Sequence, residues 1–308
     1  MVKFKESYEK RYEELLGKEY ALFKECIVKP LPASIRVNTL KIDRKKLIKR
    51  FEEEYGWKLK QVPFYEDGYV FQTKKPVVLG NTLEHFLGYF YMQEVASMIP
   101  PVVLNPKPGE VVLDMAAAPG SKTTQMAQMM KNEGVIVANE KTISRLAALR
   151  NNLQRCGVLN VIITQMDGRK FKDIEYKFDK VLLDAPCTGT GAIMKSLHTL
   201  KIWNVKASIM LSNIQKQLIR AAYNVLKPGG TLVYSTCSLE PEEDEEVIDY
   251  AIRKVGFSIE KFKLKGFKTR NGILNWGKKE FTEEVKYAQR VYPQDNNTEG
   301  FFIAKLRR

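Results

Sequence analysis

Two cysteines each follow an apolar run, in a polar loop. Cys187 sits in LLDAPCTGTG (residues 182–191), three residues after Asp184; Cys237 sits in LVYSTCSLEPEEDEE (232–246). A thiol at the mouth of a strand is a nucleophile, a metal ligand or a small buried hydrophobe. Neither thiol is in CxxC spacing, and Cys26 and Cys156 are equally isolated, so no metal is expected. The two histidines, His85 and His198, stand too far apart to complete a zinc site. Covalent chemistry gives both thiols a use. Carbon 5 of a pyrimidine is a poor nucleophile toward a sulfonium methyl group. A thiolate adding to carbon 6 makes carbon 5 enamine-like and able to attack; a base then removes the carbon 5 proton and the thiol leaves. Asp184 is placed to hydrogen-bond the base edge at N3 as charge builds up. The residues alone do not say which thiol attacks.

The elements around these loops must bring them together. From Pro106 onward the chain reads as strands alternating with helices: VVLD, then the loop AAAPGSK and a helix; GVIVANE; a helix over ISRLAALRNNLQRC stopped by Gly157; VIITQMD; FDKVLLDAPC; a helix around 207–226; the turn LKPGG; and TLVYSTCS. Such alternation implies an α/β fold with a parallel sheet covered on both faces. Ligands then sit at the carboxyl ends of the strands. Those ends carry Asp114 with its loop, Glu140, Asp167, Asp184 with Cys187, and Cys237. The AAAPGSK loop has no glycine nest for a pyrophosphate but offers a helix N-terminus. Glu140 suits ribose hydroxyls, and Asp167 suits an adenine amino group. A nucleoside with an amino-acid tail, S-adenosylmethionine (SAM), fits these features better than NAD. The acidic run EPEEDEE (240–246) reads as the solvated first turns of a helix, where carboxylates suit the dipole.

The first hundred residues differ in rhythm. Mixed-charge helices precede a strand at 33–42 and a helix at 43–56, with Asp43 as N-cap and Gly56 as stop; strand material follows to about residue 80. This is a small βαβ-type module. Residues 85–104 read as one apolar helix running into a proline break. Tyr65, Tyr69 and Phe71 read as strand core rather than as a stacking platform for bases, and Asn38 as a cap between modules. The net charge is +14 and the pI about 9.4. Dispersed lysines of this kind suit an anionic partner, nucleic acid first, or simply form a solvated surface. KFKLKGFKTR (261–270) interleaves lysines with Phe262 and Phe267 and reads either as a phosphate contact or as an amphipathic strand. No stretch is apolar for the roughly 18 residues a membrane span needs, and the charged N-terminus is neither signal peptide nor anchor, so a cytoplasmic protein is expected.

MAAAPGSKT (115–123), LLDAPCTGTG (182–191) and YSTCSLEPEEDEEVI (234–248), with SIRVNTLK (34–41), YMQEVASM (91–98) and EGFFIAKL (299–306), resemble the SAM-dependent RNA cytosine-5 methyltransferases of the Nol1/Nop2/Sun family. The resemblance covers nearly the whole chain. It implies a Rossmann-like SAM-dependent methyltransferase sheet over 101–308 and a small N-terminal α+β, RRM-like RNA-binding module over 1–100. It also orders the thiols: Cys237 as the nucleophile at carbon 6, Cys187 as the residue that assists release of the product. Asp184 would contact the target cytosine and Lys122 matches the family's active-site lysine. Ala116, Ala117, Ala118, Pro119, Gly120, Ser121, Lys122, Glu140, Arg145, Asp167 and Asp184 match its SAM-binding positions. A short basic chain without appended domains resembles the archaeal tRNA enzymes, which implies 5-methylcytosine in tRNA, made by a monomer. The same reaction on rRNA, a non-catalytic RNA-binding homologue, and an accessory protein affecting specificity stay open. A DNA cytosine-5 enzyme would not need the second thiol in STC.

Overall fold

The computed structural model describes residues 4–73 and 77–308; residues 1–3 of the charged N-terminal stretch and 74–76 of the segment read as the βαβ module lie outside it. Two helices, α1 (Glu6–Leu16) and α2 (Tyr20–Cys26), lead into strand β1 (Ser34–Val37). Helix α3 (Arg44–Tyr55) starts where Asp43 Oδ1 accepts from the Lys46 amide at 3.2 Å, and ends at Gly56, whose φ of 65° favours glycine. Its Leu47 and Phe51, one turn apart, are buried. Strands β2 (Leu59–Val62) and β3 (Tyr65–Phe71), the short helix α4 (Leu83–Phe86) and β4 (Phe90–Met92) complete a sheet of order β2-β3-β1-β4, antiparallel throughout. This βαββαβ order is RRM-like.

One face of this sheet, with Ile35, Val37, Phe71 and Phe90, packs on α3. The opposite face is also covered. Arg36 is 1% exposed and donates to Gln93 Oε1 at 2.9 Å and to Thr124 Oγ1 at 2.7 Å. Asn38 Nδ2 donates to the carbonyls of Gly88 and Cys156, both at 2.8 Å. These buried polar side chains tie the sheet to the helices of the second unit, each with its partners satisfied. Asn38 thus bridges the two units, and Tyr65 and Phe71 are buried while Tyr69 is half-buried.

Residues 85–104 do not form one helix. The end of α4, strand β4, a 3-10 turn at Ala96–Met98 and helix α5 (Ile99–Leu104) divide them. Pairing of Phe90–Met92 with β1 overrides the apolar pattern, and Pro100 and Pro101 are tolerated because they fall at the start of α5.

The second unit follows the expected alternation: β5 (Val111–Asp114), α6 (Ser121–Met129), β6 (Val135–Asn139), α7 (Ile143–Cys156), β7 (Val161–Thr164), β8 (Phe178–Asp184), α8 (His198–Ile202), α9 (Val205–Val225), β9 (Leu226–Thr236) and α10 (Glu245–Tyr250). The parallel order is β7-β6-β5-β8-β9. The LKPGG stretch belongs to β9 as an irregularity, the pairing moving from Phe178↔Leu226 to Lys180↔Thr231. Downstream come β10 (Ser258–Glu260), β11 (Arg270–Asn271), the hairpin β12 (Asn275–Trp276) and β13 (Lys279–Glu280), β14 (Gln289–Val291), α11 (Pro293–Asn296) and β15 (Phe301–Arg307). β15 runs antiparallel beside β9 and is followed outward by β14 and β11. The chain winds one way from β5 to β7 and the other way through β8 and β9. The crevice between β5 and β8 is therefore the switch point at which such sheets bind ligands. Among the described residues no helix is long and apolar enough to cross a membrane.

Candidate active site

β8 is a buried apolar run, VLLD, that delivers Asp184 to the carboxyl edge of the sheet beside the end of β5. Asp184 Oδ2 accepts from Lys122 Nζ at 2.7 Å and Oδ1 from Ser235 Oγ at 2.8 Å. Lys122 is in the first turn of α6; its ammonium also reaches Ser97 Oγ at 3.2 Å and sits 5.5 Å from the Phe301 ring centroid. Burial alone would lower the Lys122 ammonium, but Asp184, with smaller help from Cys237 and Asp114, holds it above its ordinary value. A fixed positive charge thus stands next to the thiol loops.

The two thiols meet. Cys187 Sγ and Cys237 Sγ are 3.2 Å apart, a hydrogen-bond contact between free thiols. The Cys237 thiol, burial and the Glu243 and Asp184 charges push the Cys187 thiol well above its ordinary value. The loops are locked at close range. The Gly191 amide donates to the Cys237 carbonyl at 2.8 Å, and the Gly300 amide to the Gly191 carbonyl at 2.9 Å. A Cβ on Gly191 would stand 2.1 Å from the Gly300 carbonyl oxygen, so only glycine fits there. This explains the GTG that follows Cys187 and the EG that precedes FFIAKL.

Behind the thiols lies the acidic run, and it is not solvated. Glu240, Glu243, Asp244 and Glu245 are fully buried and Glu242 nearly so. Glu243 accepts from the Thr188 amide at 3.0 Å, the Thr188 hydroxyl, Ser238 Oγ at 2.8 Å and Gln215 Nε2 at 3.0 Å, joining the residue after each cysteine. Burial pushes its carboxyl up to about 7 against those bonds. Glu240 takes Arg11 Nε at 2.7 Å, Tyr12 OH at 2.9 Å and Trp203 Nε1 at 2.9 Å. Glu245 takes the Arg290 guanidinium through both oxygens. Buried carboxylates need such partners, and the partners lie far away in sequence. Ser97, Ser235, Glu243 and Phe301 were not singled out by sequence reasoning. They do fall inside or beside the quoted motifs, which is the signal that would have found them.

Most of the expected SAM positions line one crevice; Gly120, Glu140 and Asp167 are outside its lining. Asp114, Ala116, Ala117, Ala118, Pro119, Ser121, Lys122, Arg145 and Asp184 border a pocket at the start of α6. Gly120, with φ of 103°, turns the loop into that helix. Ala118–Pro119 is a cis peptide. Arg145 donates to the Ala118 carbonyl and lies 3.2 Å from Glu140 Oε2. Glu140 is 3% exposed, and its Oε2 has no hydrogen bond. A buried acceptor at the end of β6 that is ion-paired with Arg145 but makes no hydrogen bond fits a hydroxyl-bearing ligand. Asp167 stands apart from the pocket lining, held by Arg169 Nη2 at 2.7 Å and Lys141 Nζ at 2.9 Å. Those cations keep its carboxyl well below the usual range, the Arg169 hydrogen bond most. Among the described residues no group of His, Cys, Asp and Glu could hold a metal.

Asp114 gives a pH test. It is 1% exposed, and burial pushes it up to about 7, opposed by the Thr123 hydroxyl, which donates to its Oδ2 at 2.7 Å. A carboxyl raised on folding contributes stability that is complete below its unfolded pKa of about 4 and is lost as pH rises through the folded value. The stability of the wild type relative to Asp114→Asn should therefore fall between pH 4 and 8. Urea unfolding across that range measures it; a pH-independent difference would contradict the assignment.

Two family models match the chain: the 16S rRNA methyltransferase RsmB/F over residues 101–307, and the N-terminal domain of 16S rRNA methyltransferase RsmF over residues 4–95. The chain is 44% identical over 310 residues to a tRNA (cytosine(49)-C(5))-methyltransferase of Pyrococcus abyssi, covering 99% of each chain. It is 43% identical over 284 residues to the ribosomal RNA small subunit methyltransferase F of Vibrio parahaemolyticus, but spans only 58% of that protein. Among solved structures it superimposes on a methyltransferase homolog protein from Pyrococcus horikoshii with a TM-score of 0.89 at 42% identity, covering 100% of this chain and 96% of that one. The structure of NSun6 from Pyrococcus horikoshii with SFG matches with a TM-score of 0.87 at 31% identity, covering 99% and 98%.

Proposed function

Because the chain belongs to the RsmB/F (Nol1/Nop2/Sun) methyltransferase family, we propose that it transfers a methyl group from SAM to carbon 5 of a cytosine in tRNA, through a covalent adduct with Cys237. The observation that carries this is the pair of thiols 3.2 Å apart, beside the Asp184–Lys122 pair, at the switch point of the sheet. Identity of 44% along 99% of an archaeal enzyme named for tRNA supports that substrate.

SAM, when bound, supplies an electrophilic methyl group. The Ala116–Lys122 loop and Arg145 would hold its amino-acid end and Glu140 its ribose; Asp167 would reach the adenine by exchanging its present cation contacts. SFG, an analogue of SAM, accompanies the related Pyrococcus structure, in keeping with this cofactor. The target cytosine must leave its stack to reach the crevice. Cys237, as thiolate, bonds through sulfur to carbon 6 and the ring's electron pair moves to carbon 5, where the new carbon–methyl bond forms as the methyl's bond to the sulfonium sulfur breaks and a neutral thioether is left. Lys122 faces the negative charge that builds on the base edge, and the Asp184 carboxylate, which Lys122 and Ser235 orient, would accept from the exocyclic amine at N4. Cys187, once it has given its own proton to solvent, accepts the carbon 5 proton as a thiolate, the electrons of that C–H bond restore the ring double bond, the carbon 6–sulfur bond breaks, and Cys237 leaves as thiolate. The protein supplies timing for this. The leading influence that holds Cys187 protonated is the Cys237 thiol. Once Cys237 is bonded to carbon its hydrogen bond and charge are gone, so the Cys187 thiol gives up its own proton more readily at the step that needs a thiolate.

The test is transfer from labelled SAM to unmodified tRNA and rRNA pools. Label in tRNA is expected; label confined to rRNA would overturn the substrate and keep the enzyme class. No membrane enters this reading, and a monomer in the cytoplasm suits it.

A further inference from the structure

Among the described residues both faces of the RRM-like sheet are largely covered: one side packs on α3, the other on α6 and α7 through Arg36, Asp67 and Tyr91. An RNA strand must therefore be held elsewhere. We propose that the lysine-lined groove between residues 261–269 and the edge strands β14 and β11 carries the RNA phosphate backbone next to the target nucleotide, an inference that rests on the RNA substrate proposed above.

The chain around this groove alternates. Phe262, Leu264 and Phe267 turn inward and join the cluster containing Val291, Phe301 and Ile303, while Lys261, Lys263, Lys265 and Lys268 stay exposed. Phe267 also packs edge-on against Phe64 of the N-terminal sheet, ring centroids 4.9 Å apart, so the lysine ribbon is anchored on both units. The groove, about 530 Å³, is lined by Lys261, Lys263, Lys268 and Lys286 together with Tyr287 and the amides of Asn271 and Gln289, and no carboxylate is among its lining residues. Lys268 pairs with Asp295 and Lys286 with Glu283. Lys261 instead lies 4.3 Å from the Tyr287 ring centroid. Lys261 against an aromatic face, Lys263 beside it, and two lysines whose acidic partners lie outside the lining match a chain of phosphates.

The groove also leads to the chemistry. Through Phe267 it adjoins a second cavity of about 250 Å³ bordered by Lys60, Gly266, Val95 and Glu94. Glu94 Oε2 accepts from the amides of Ala96 and Ser97, and Ser97 Oγ accepts from Lys122. Groove and cavity thus share Phe267, and Glu94 at the cavity's border is one hydrogen bond from Ser97, which Lys122 of the catalytic pair contacts.

The test compares Lys261→Gln/Lys263→Gln/Lys286→Gln with an equal-charge control, Lys172→Gln/Lys254→Gln/Lys278→Gln, at exposed positions outside the groove. Filter binding to the tRNA and rRNA pools over a salt series is the readout. The groove variant should bind at least about tenfold more weakly at about 0.1 M salt, with a salt slope shallower by about 2, because three phosphate contacts are lost. Its turnover at saturating RNA should stay within about twofold of the wild type, and its SAM affinity and melting temperature should be unchanged. The single reversal Lys263→Glu should weaken binding in the same direction. An unchanged affinity and slope, or an equal loss in the control, would overturn the groove. Binding needs no methyl transfer, so a wrong substrate assignment shows separately, as wild-type label in rRNA or in neither pool.

Discussion

Cys237→Ala should lose methyl transfer by a factor on the order of 10⁴ or more, the scale seen when a covalent nucleophile is removed. It should form no RNA–protein adduct on a denaturing gel. Cys187→Ala should behave differently: sulfur still adds to carbon 6 and the methyl group still arrives, but no base removes the carbon 5 proton. The adduct should accumulate, and turnover should stop near one methyl group per enzyme. Removing both thiols should abolish the adduct, placing Cys237 before Cys187. The geometry alone is nearly symmetric in the thiols. The order of the two is what the family resemblance implies, and the burial and the Glu243 and Asp184 charges that keep Cys187 a thiol are in keeping with it. Equal adduct yield from the two single variants would contradict the assigned order.

The second large effect concerns stability. Arg290 is fully buried and binds Glu245 through both oxygens, with Asp244 Oδ2 3.5 Å away and the Leu239 carbonyl accepting at 3.1 Å. Burial already pushes Asp244 well above the carboxylate range. Arg290→Ala would leave a buried carboxylate without its partner, a change that typically costs about 3–5 kcal/mol. For a chain of this size that lowers the melting temperature by roughly 5–8 °C. Arg290→Lys should recover only part of this, because an ammonium cannot donate in a fork. Since Leu239 and Asp244 flank the loop behind Cys237, the alanine variant should also lose activity below its melting point. A melting temperature within about 2 °C of the wild type would show that the buried acids are paired by other means.

These buried acids mark where sequence reasoning stopped. EPEEDEE looks like a solvated helix start because its composition says nothing about Arg11 in α1 or Arg290 in β14, which only the folded chain brings to it. Residues 85–104 are apolar enough for a helix, yet β1 recruits Phe90–Met92 as an edge strand, a tertiary choice that local periodicity does not encode. The helix ends at Asp43, Gly56 and Gly157 were legible because a cap is a local interaction. The strand-end residues were legible for a related reason: alternation of strand and helix dictates which end of a parallel sheet is open. Asp184, Lys122 and both thiols then converge without further assumption. Asp167 sits at its expected strand end, but Arg169, two residues on, occupies its carboxylate.

The most direct measurement is the identity of the nucleoside formed. RNA methylated by the wild type with labelled SAM should yield, on complete digestion, label only in 5-methylcytidine, and Cys237→Ala should yield none. Label in a cytidine methylated on its exocyclic nitrogen, or label retained in the Cys237→Ala reaction, would mean that the paired thiols do not perform the chemistry.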